Sequence, residues 1–220
     1  MSDRGLTLNG LWFSYGAERV LGGVYLRVEP GDICGLIGRN GCGKSTALQV
    51  AAGQLKADSG IVEFDGRRFA GKRLHRRFAM LAYLPQKPML PPSMRVSSLA
   101  HLTGLADHPV VTRTASQRVR ELSTGEERLL TLLFVLSLDR PYYLLDEPFS
   151  GVEPLFIEDM MRAIRGAADR GAGVLLTDHY HQYVTALCSR AYLMENRQCR
   201  ELQAPFAASL RDVGYLPPLT

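Results

Sequence analysis

The chain has 220 residues, 46% of them hydrophobic, with 26 Lys and Arg against 22 Asp and Glu for a net charge of +4. That length and apolar content are enough for one domain with a sizeable core and exclude a disordered chain. No run approaches the roughly 18 apolar residues of a membrane span, the start MSDRGLTLNG lacks the apolar core of a signal peptide, and Cys34, Cys42, Cys188 and Cys199 have no CxxC spacing, so a soluble, cytoplasmic chain with reduced thiols is expected.

Short apolar runs bounded by Gly, Pro and Asp alternate with helical stretches, the pattern of strands joined through helices into a parallel sheet. Leu6 to Trp12 and Val24 to Val28 show partial alternation, as does Ile61 to Phe64, which predicts an antiparallel edge sheet. Ile33 to Ile37 is the first buried strand, and it runs into Gly38-Arg-Asn-Gly-Cys-Gly-Lys-Ser45 ahead of a helical stretch, Thr46 to Ala52. That is GxxxxGK[ST] in its expected strand-to-helix setting. Gly38, Gly41 and Gly43 let the backbone curl so that several N–H groups, among them those of Asn40, Cys42 and Thr46, face a phosphate. The Lys44 ammonium supplies charge to the β and γ oxygens, and the Ser45 hydroxyl can ligate Mg²⁺.

Farther on, the basic run Lys72, Arg73, His75, Arg76 and Arg77 has no interleaved aromatic platform and reads as a solvated face, so no nucleic acid is expected as a partner. Met80 to Leu84 is a second buried strand, ending in Leu84-Pro85-Gln86. The segment PMLPPSM follows, either an adaptable apolar dock or a loop covering its own core, and then a helical pattern around Val96 to Leu105. Residues 87–138 read as an inserted helical subdomain in a single 1–220 domain. Leu122-Ser-Thr-Gly-Glu126 opens a helix through Arg128 to Leu136, with Ser123 as N-cap and Glu126 as its reciprocal partner at N3.

Tyr142 to Leu145 is an apolar strand that ends in Asp146-Glu147. Asp146 is placed to hold the magnesium, directly or through water, and Glu147 to act as general base on the attacking water. Val174 to Thr177 leads to Asp178-His179, and 205–220 reads as a short tail with one helix and a frayed end. The fold class is therefore α/β, a P-loop NTPase core with a mixed sheet, an antiparallel β edge subdomain and a small inserted helical subdomain.

The ordered motifs from about Leu6 to Leu193 resemble those of ABC transporter ATP-binding subunits. LSTGE resembles the signature LSGGQ, Gln86 the Q-loop glutamine that reaches the metal and the attacking water, His179 the switch histidine at the γ-phosphate, and Tyr15 the ring that stacks on adenine, with Phe13 and Trp12 as alternatives. The resemblance implies ATP and Mg²⁺ as cofactors and ATP hydrolysis as the activity. It also implies a head-to-tail pair of cassettes, homodimeric or with a related chain, in which Ser123 and Gly125 of one copy meet the nucleotide of the other, and a transmembrane permease as partner on the cytoplasmic face of the inner membrane. A soluble ABC ATPase of the iron–sulfur assembly type, or a nucleotide switch with little turnover, are the alternatives. TDHYHQYV and CSRAYLM look similar to ATPases of lipopolysaccharide export and branched-chain amino acid uptake. Three departures stand out: Thr124 for the signature's first glycine with Glu126 for its glutamine, Glu153 for the D-loop aspartate, and the short stretch from Gln86 to Leu122, which implies a reduced helical subdomain.

Overall fold

A computed structural model describes residues 4–69 and 77–216. Among these, β1 (Leu6–Tyr15), β2 (Glu18–Val28), β4 (Ser59–Phe64) and β5 (Arg67–Phe69) form an antiparallel sheet of order β2-β1-β4-β5. The second sheet contains β3 (Ile33–Ile37), β6 (Leu81–Leu84), β7 (Tyr142–Asp146), β8 (Gly173–Thr177), β9 (Arg190–Glu195) and β10 (Gln198–Leu202), in the order β10-β9-β3-β8-β7-β6. All its pairings are parallel except β10 on β9. The predicted antiparallel strands thus make a sheet of their own, and the β9–β10 hairpin is an addition to the predicted elements.

The unbroken apolar runs follow from burial on both faces. Ile33, Ile37, Tyr143, Leu145, Val174 and Leu176 face one core, whereas Cys34, Leu36, Tyr142, Leu144 and Leu175 face another. Helix α1 (Lys44–Ala52) lies in the second core between the two sheets, which is why it is apolar nearly all round. The first core takes side chains from α2 (Val96–Thr103), α3 (Pro109–Thr114), a 3₁₀ turn (Val119–Glu121), α4 (Thr124–Ser137), α5 (Pro154–Asp169), α6 (His181–Leu187) and α7 (Phe206–Asp212). Elements α2 to α4 all fall between β6 and β7, and α7 in the tail buries Phe206 and Leu210.

One expectation is corrected. Arg77 is not part of a solvated face: it is 2% exposed, its Nη1 donates to Val50 O and Ala51 O (2.6 Å), and its Nη2 to Phe69 O (3.3 Å). The last carbonyls of α1 carry partial negative charge, and the guanidinium pairs with two of them, one of which, Val50 O, also accepts from Gly53 N at 3.0 Å. Burial lowers its pKa to about 10. Lys72, Arg73, His75 and Arg76 lie outside the described residues, as do 217–220 of the tail. Of the two readings of PMLPPSM, Leu90, buried in the first core, and Met94, packed against it, favour the loop that covers its own core, while Met89 faces outward.

Candidate functional site

Strands β3, β7 and β8 are neighbours and end at the same edge, so the residues just beyond them meet there. The loop after β3 has little freedom in its composition. A Cβ at Gly38 would lie 2.6 Å from Met194 O and 2.7 Å from Cys42 Sγ, and Gly43, the N-cap of α1, has φ +109°. The loop holds the Lys44 ammonium against its own carbonyls, at 2.8 Å from Gly38 O and 3.2 Å from Arg39 O.

A cavity of about 600 Å³ opens over this loop. Asn40, Gly41, Gly43, Lys44, Ser45 and Thr46 of the loop line it, together with Gln86, Glu147 and His179, and with Tyr15. Of the three candidate rings, Phe13 is buried and Trp12 lies beneath the Arg19 guanidinium (4.9 Å), leaving half-exposed Tyr15 at the cavity. Gly38, Cys42 and Asp146 do not line it: Cys42 Sγ abuts the Cα of Gly38, and Asp146 is buried beneath. Ser123 and Gly125 do not line it either. Glu18, Val20 and Ser150 do, and the sequence reading omitted them.

Asp146 is held from three sides. Its Oδ1 accepts from Ser45 Oγ and Thr177 Oγ1, each at 2.9 Å, and its Oδ2 from Tyr83 OH at 3.1 Å. Burial, with Asp146 beside it, raises the Tyr83 phenol above its ordinary range and keeps it a donor. The 2.9 Å between Ser45 Oγ and Asp146 Oδ1 suits Mg²⁺, because adjacent oxygens around an octahedral ion with bonds near 2.1 Å are about 3.0 Å apart. These two groups fit that ion.

Glu147 Oε2 is a focus. Gln86 Nε2 donates to it at 2.8 Å and His179 Nδ1 lies 3.7 Å away. The Glu147 backbone is in the left-handed region (φ +47°), unusual for a residue with a Cβ, and its N–H is fixed by Thr177 O (3.0 Å) and Thr177 Oγ1 (3.1 Å). The His179 ring packs tilted at 40° against Tyr180, with centroids 4.0 Å apart, and the neighbouring Asp178 accepts the amides of Phe149 and Tyr180. Burial raises the Asp178 carboxyl above its usual range.

Arg128 is the residue that the motif reading passed over. Nearly buried in α4, it donates to Pro85 O (2.7 Å), Asp146 O (2.7 Å), Glu147 O (3.0 Å) and Pro148 O (3.2 Å), and so ties the loop after β6 to the loop after β7. No sequence spacing reveals a guanidinium that serves backbone carbonyls of two distant loops.

The N-terminus of α4 is capped as expected: Glu126 N donates to Ser123 Oγ (3.2 Å), and Ser123 N to Glu126 Oε2 (2.9 Å). Glu126 also pairs with Arg113 at 2.9 Å, so the charge introduced in the signature is matched inside the chain. Gly125 has a packing reason to be glycine, since a Cβ there would lie 2.6 Å from the Phe156 ring. Glu153, at the N-cap of α5, makes no capping bond with its side chain. The Ser123 amide, together with Arg113, holds the Glu126 carboxyl below its usual pKa. Its contribution is therefore present above the unfolded value of about 4.3 and is lost as pH falls through the lower folded value. Glu126→Gln is expected to cost about 0.5 kcal/mol at pH 7, since Arg113 is half exposed, and nothing at pH 3. Urea titrations of both forms at the two pH values measure the difference; an equal gap at both would refute the charge account.

Three comparisons bear on this geometry. The family profile described as ABC transporter matches residues 21–150. The chain is 31% identical over 208 residues to the lipopolysaccharide export system ATP-binding protein LptB of Acidithiobacillus ferridurans, covering 87% of this chain and 86% of the relative. It is 33% identical over 224 aligned positions to the hemin import ATP-binding protein HmuV of Pseudomonas putida, covering 92% and 88%. A solved ATP-binding subunit of an ABC transporter superposes with TM-score 0.80 at 25% identity, over 96% of this chain and 94% of that one. An ATP-binding cassette with 22% identity shares the fold with TM-score 0.86, over 96% and 97%.

Proposed function

The chain belongs to the ABC transporter family and is an ATP-binding subunit of that family, and on this premise we propose that it hydrolyses ATP and drives a transmembrane permease. The observation that carries the reading is the focus on Glu147 Oε2, reached by Gln86 Nε2 at 2.8 Å and His179 Nδ1 at 3.7 Å beside the phosphate loop. Lys44 and the amides of the loop hold the β- and γ-phosphates, and Tyr15 stacks on the base. Glu147 orients a water and accepts its proton as the water attacks the γ-phosphorus and the bond to the β–γ bridging oxygen breaks, so that ADP leaves with that oxygen; Gln86 keeps the carboxylate turned toward the water, and His179 donates to the γ-phosphate oxygens. Ser45 and Asp146 would hold Mg²⁺, which neutralises charge on the phosphates.

A second copy, or a related cassette, completes the site in a head-to-tail pair. Ser123 and Gly125 do not line their own chain's cavity, as supply to the other copy requires, and the capped N-terminus of α4 supplies the amides that meet the γ-phosphate. Hydrolysis removes the group held by both chains, and the loosened pair shifts the permease between conformations. Among the described residues no helix is long and apolar enough to cross a membrane, in keeping with a subunit docked on the cytoplasmic face. Cargo and direction are set by the permease, since the relatives include one named for export and one for import. Purified chain incubated with Mg²⁺ and ATP should release phosphate, and Lys44→Ala should abolish that release together with nucleotide binding. Wild-type chain that neither binds ATP nor releases phosphate would sink the reading.

A further inference from the structure

The cavity lining is of two kinds: the donor-rich phosphate loop, and Tyr15, Glu18 and Val20 from β1 and β2. Tyr15 and Glu18 are register partners across the turn between β1 and β2, so their side chains leave the same face of the hairpin as near neighbours. Phe13 braces the Tyr15 ring edge-on, with centroids 4.8 Å apart at 83°. Val20 fixes the hairpin against the phosphate loop, for its Cγ1 lies 3.0 Å from where a Cβ of Gly43 would be. Arg19, which follows Glu18, is engaged over the Trp12 ring instead. Among the described residues the Glu18 carboxylate has no ion-pair or hydrogen-bond partner.

We propose that Glu18 selects the nucleobase, its carboxylate accepting the exocyclic amine of an adenine stacked on Tyr15 and repelling the keto oxygen that guanine and hypoxanthine carry there. A carboxylate only accepts hydrogen bonds, so on the N7 side of the base, away from N1–H, a 6-amino purine offers it a donor where a 6-keto purine offers only acceptors. Glu18, the register partner of Tyr15, stands beside a base lying on that ring. The inference rests on the proposed nucleotide site and adds a reason for its preference among nucleotides.

Nucleoside diphosphates test it without turnover. Calorimetric titration of wild type with Mg²⁺ and ADP, IDP or 2′-deoxy-ADP should show ADP bound about tenfold more tightly than IDP, the worth of one charge-assisted bond at a half-open site, and 2′-deoxy-ADP bound like ADP. Glu18→Gln and Glu18→Ala should bring the ADP-to-IDP ratio to within about twofold of one. Glu18 lies at an exposed strand end, and unfolding curves of both variants should show that they fold like wild type. A ratio near one in wild type, or one unchanged in both variants, would overturn the inference while leaving the nucleotide site intact. A Glu18-dependent loss for 2′-deoxy-ADP rather than IDP would also overturn it, by assigning the carboxylate to the ribose. Failure of wild type to bind ADP at all would strike the proposed function itself.

Discussion

Glu147→Gln is expected to lower ATP turnover by a factor on the order of 10²–10⁴ while leaving ATP affinity within about threefold of wild type. Glutamine has the size of glutamate and its amide oxygen can still accept from Gln86 Nε2, now 2.8 Å from Glu147 Oε2, so the local packing survives. What disappears is the proton acceptor on which Gln86 and His179 both converge. The loop that holds the phosphates, residues 38–45, is a different one and is untouched. A second readout separates the chemistry from folding: a variant that binds ATP but does not split it accumulates the nucleotide-bound pair, and sedimentation with ATP should show dimer where wild type returns to monomer. Equal phosphate release from wild type and variant would remove Glu147 from the chemistry and favour a nucleotide switch with little turnover.

The sequence was a good guide where one local pattern does one job. The four buried strands are continuous apolar runs because both faces of the sheet are covered, and the phosphate loop is legible because curled backbone needs glycine at Gly38 and Gly43. The capping box is likewise local, with Ser123 and Glu126 three residues apart. Where two distant segments share one side chain, the text is silent. Arg77 sits in a basic run yet serves the end of α1, and Thr177 ends a strand yet bonds Asp146 and the Glu147 amide. The β9–β10 hairpin escaped for a different reason. Its turn residues Asn196 (φ +50°) and Arg197 (φ +68°) both adopt the left-handed conformation that usually announces itself as Asn-Gly. Arg197 masks the signal, and its carbonyl is held by Gly22 N at 2.7 Å.

Arg128→Met should cost stability of about 2–4 kcal/mol and lower kcat on the order of 100-fold in the molecules that remain folded, with KM for ATP changed by less than about threefold. Methionine fills much of the volume but leaves the carbonyls of Pro85, Asp146, Glu147 and Pro148 without their donor. A cavity of about 140 Å³ borders Arg128, Gln86 and Ser150, so water can reach some of these groups and moderates the penalty. Water does not reproduce the geometry. The Glu147 backbone stands at φ +47° under restraint from Thr177 on its N–H and Arg128 on its carbonyl, and releasing one restraint lets the carboxylate drift from the Gln86 amide. Misplacing a general base by a fraction of an ångström affects the chemical step, whereas nucleotide affinity depends mainly on the loop around Lys44, which Arg128 does not touch. Arg128→Lys distinguishes this account from a simple loss of packing: an ammonium keeps the charge and can satisfy two or three carbonyls, but has no planar fork with which to bridge two loops. Stability should therefore recover more than kcat does. If both recover together, or if Arg128→Met raises KM and spares kcat, the guanidinium is a packing element and the coupling of Gln86 to Glu147 must come from elsewhere.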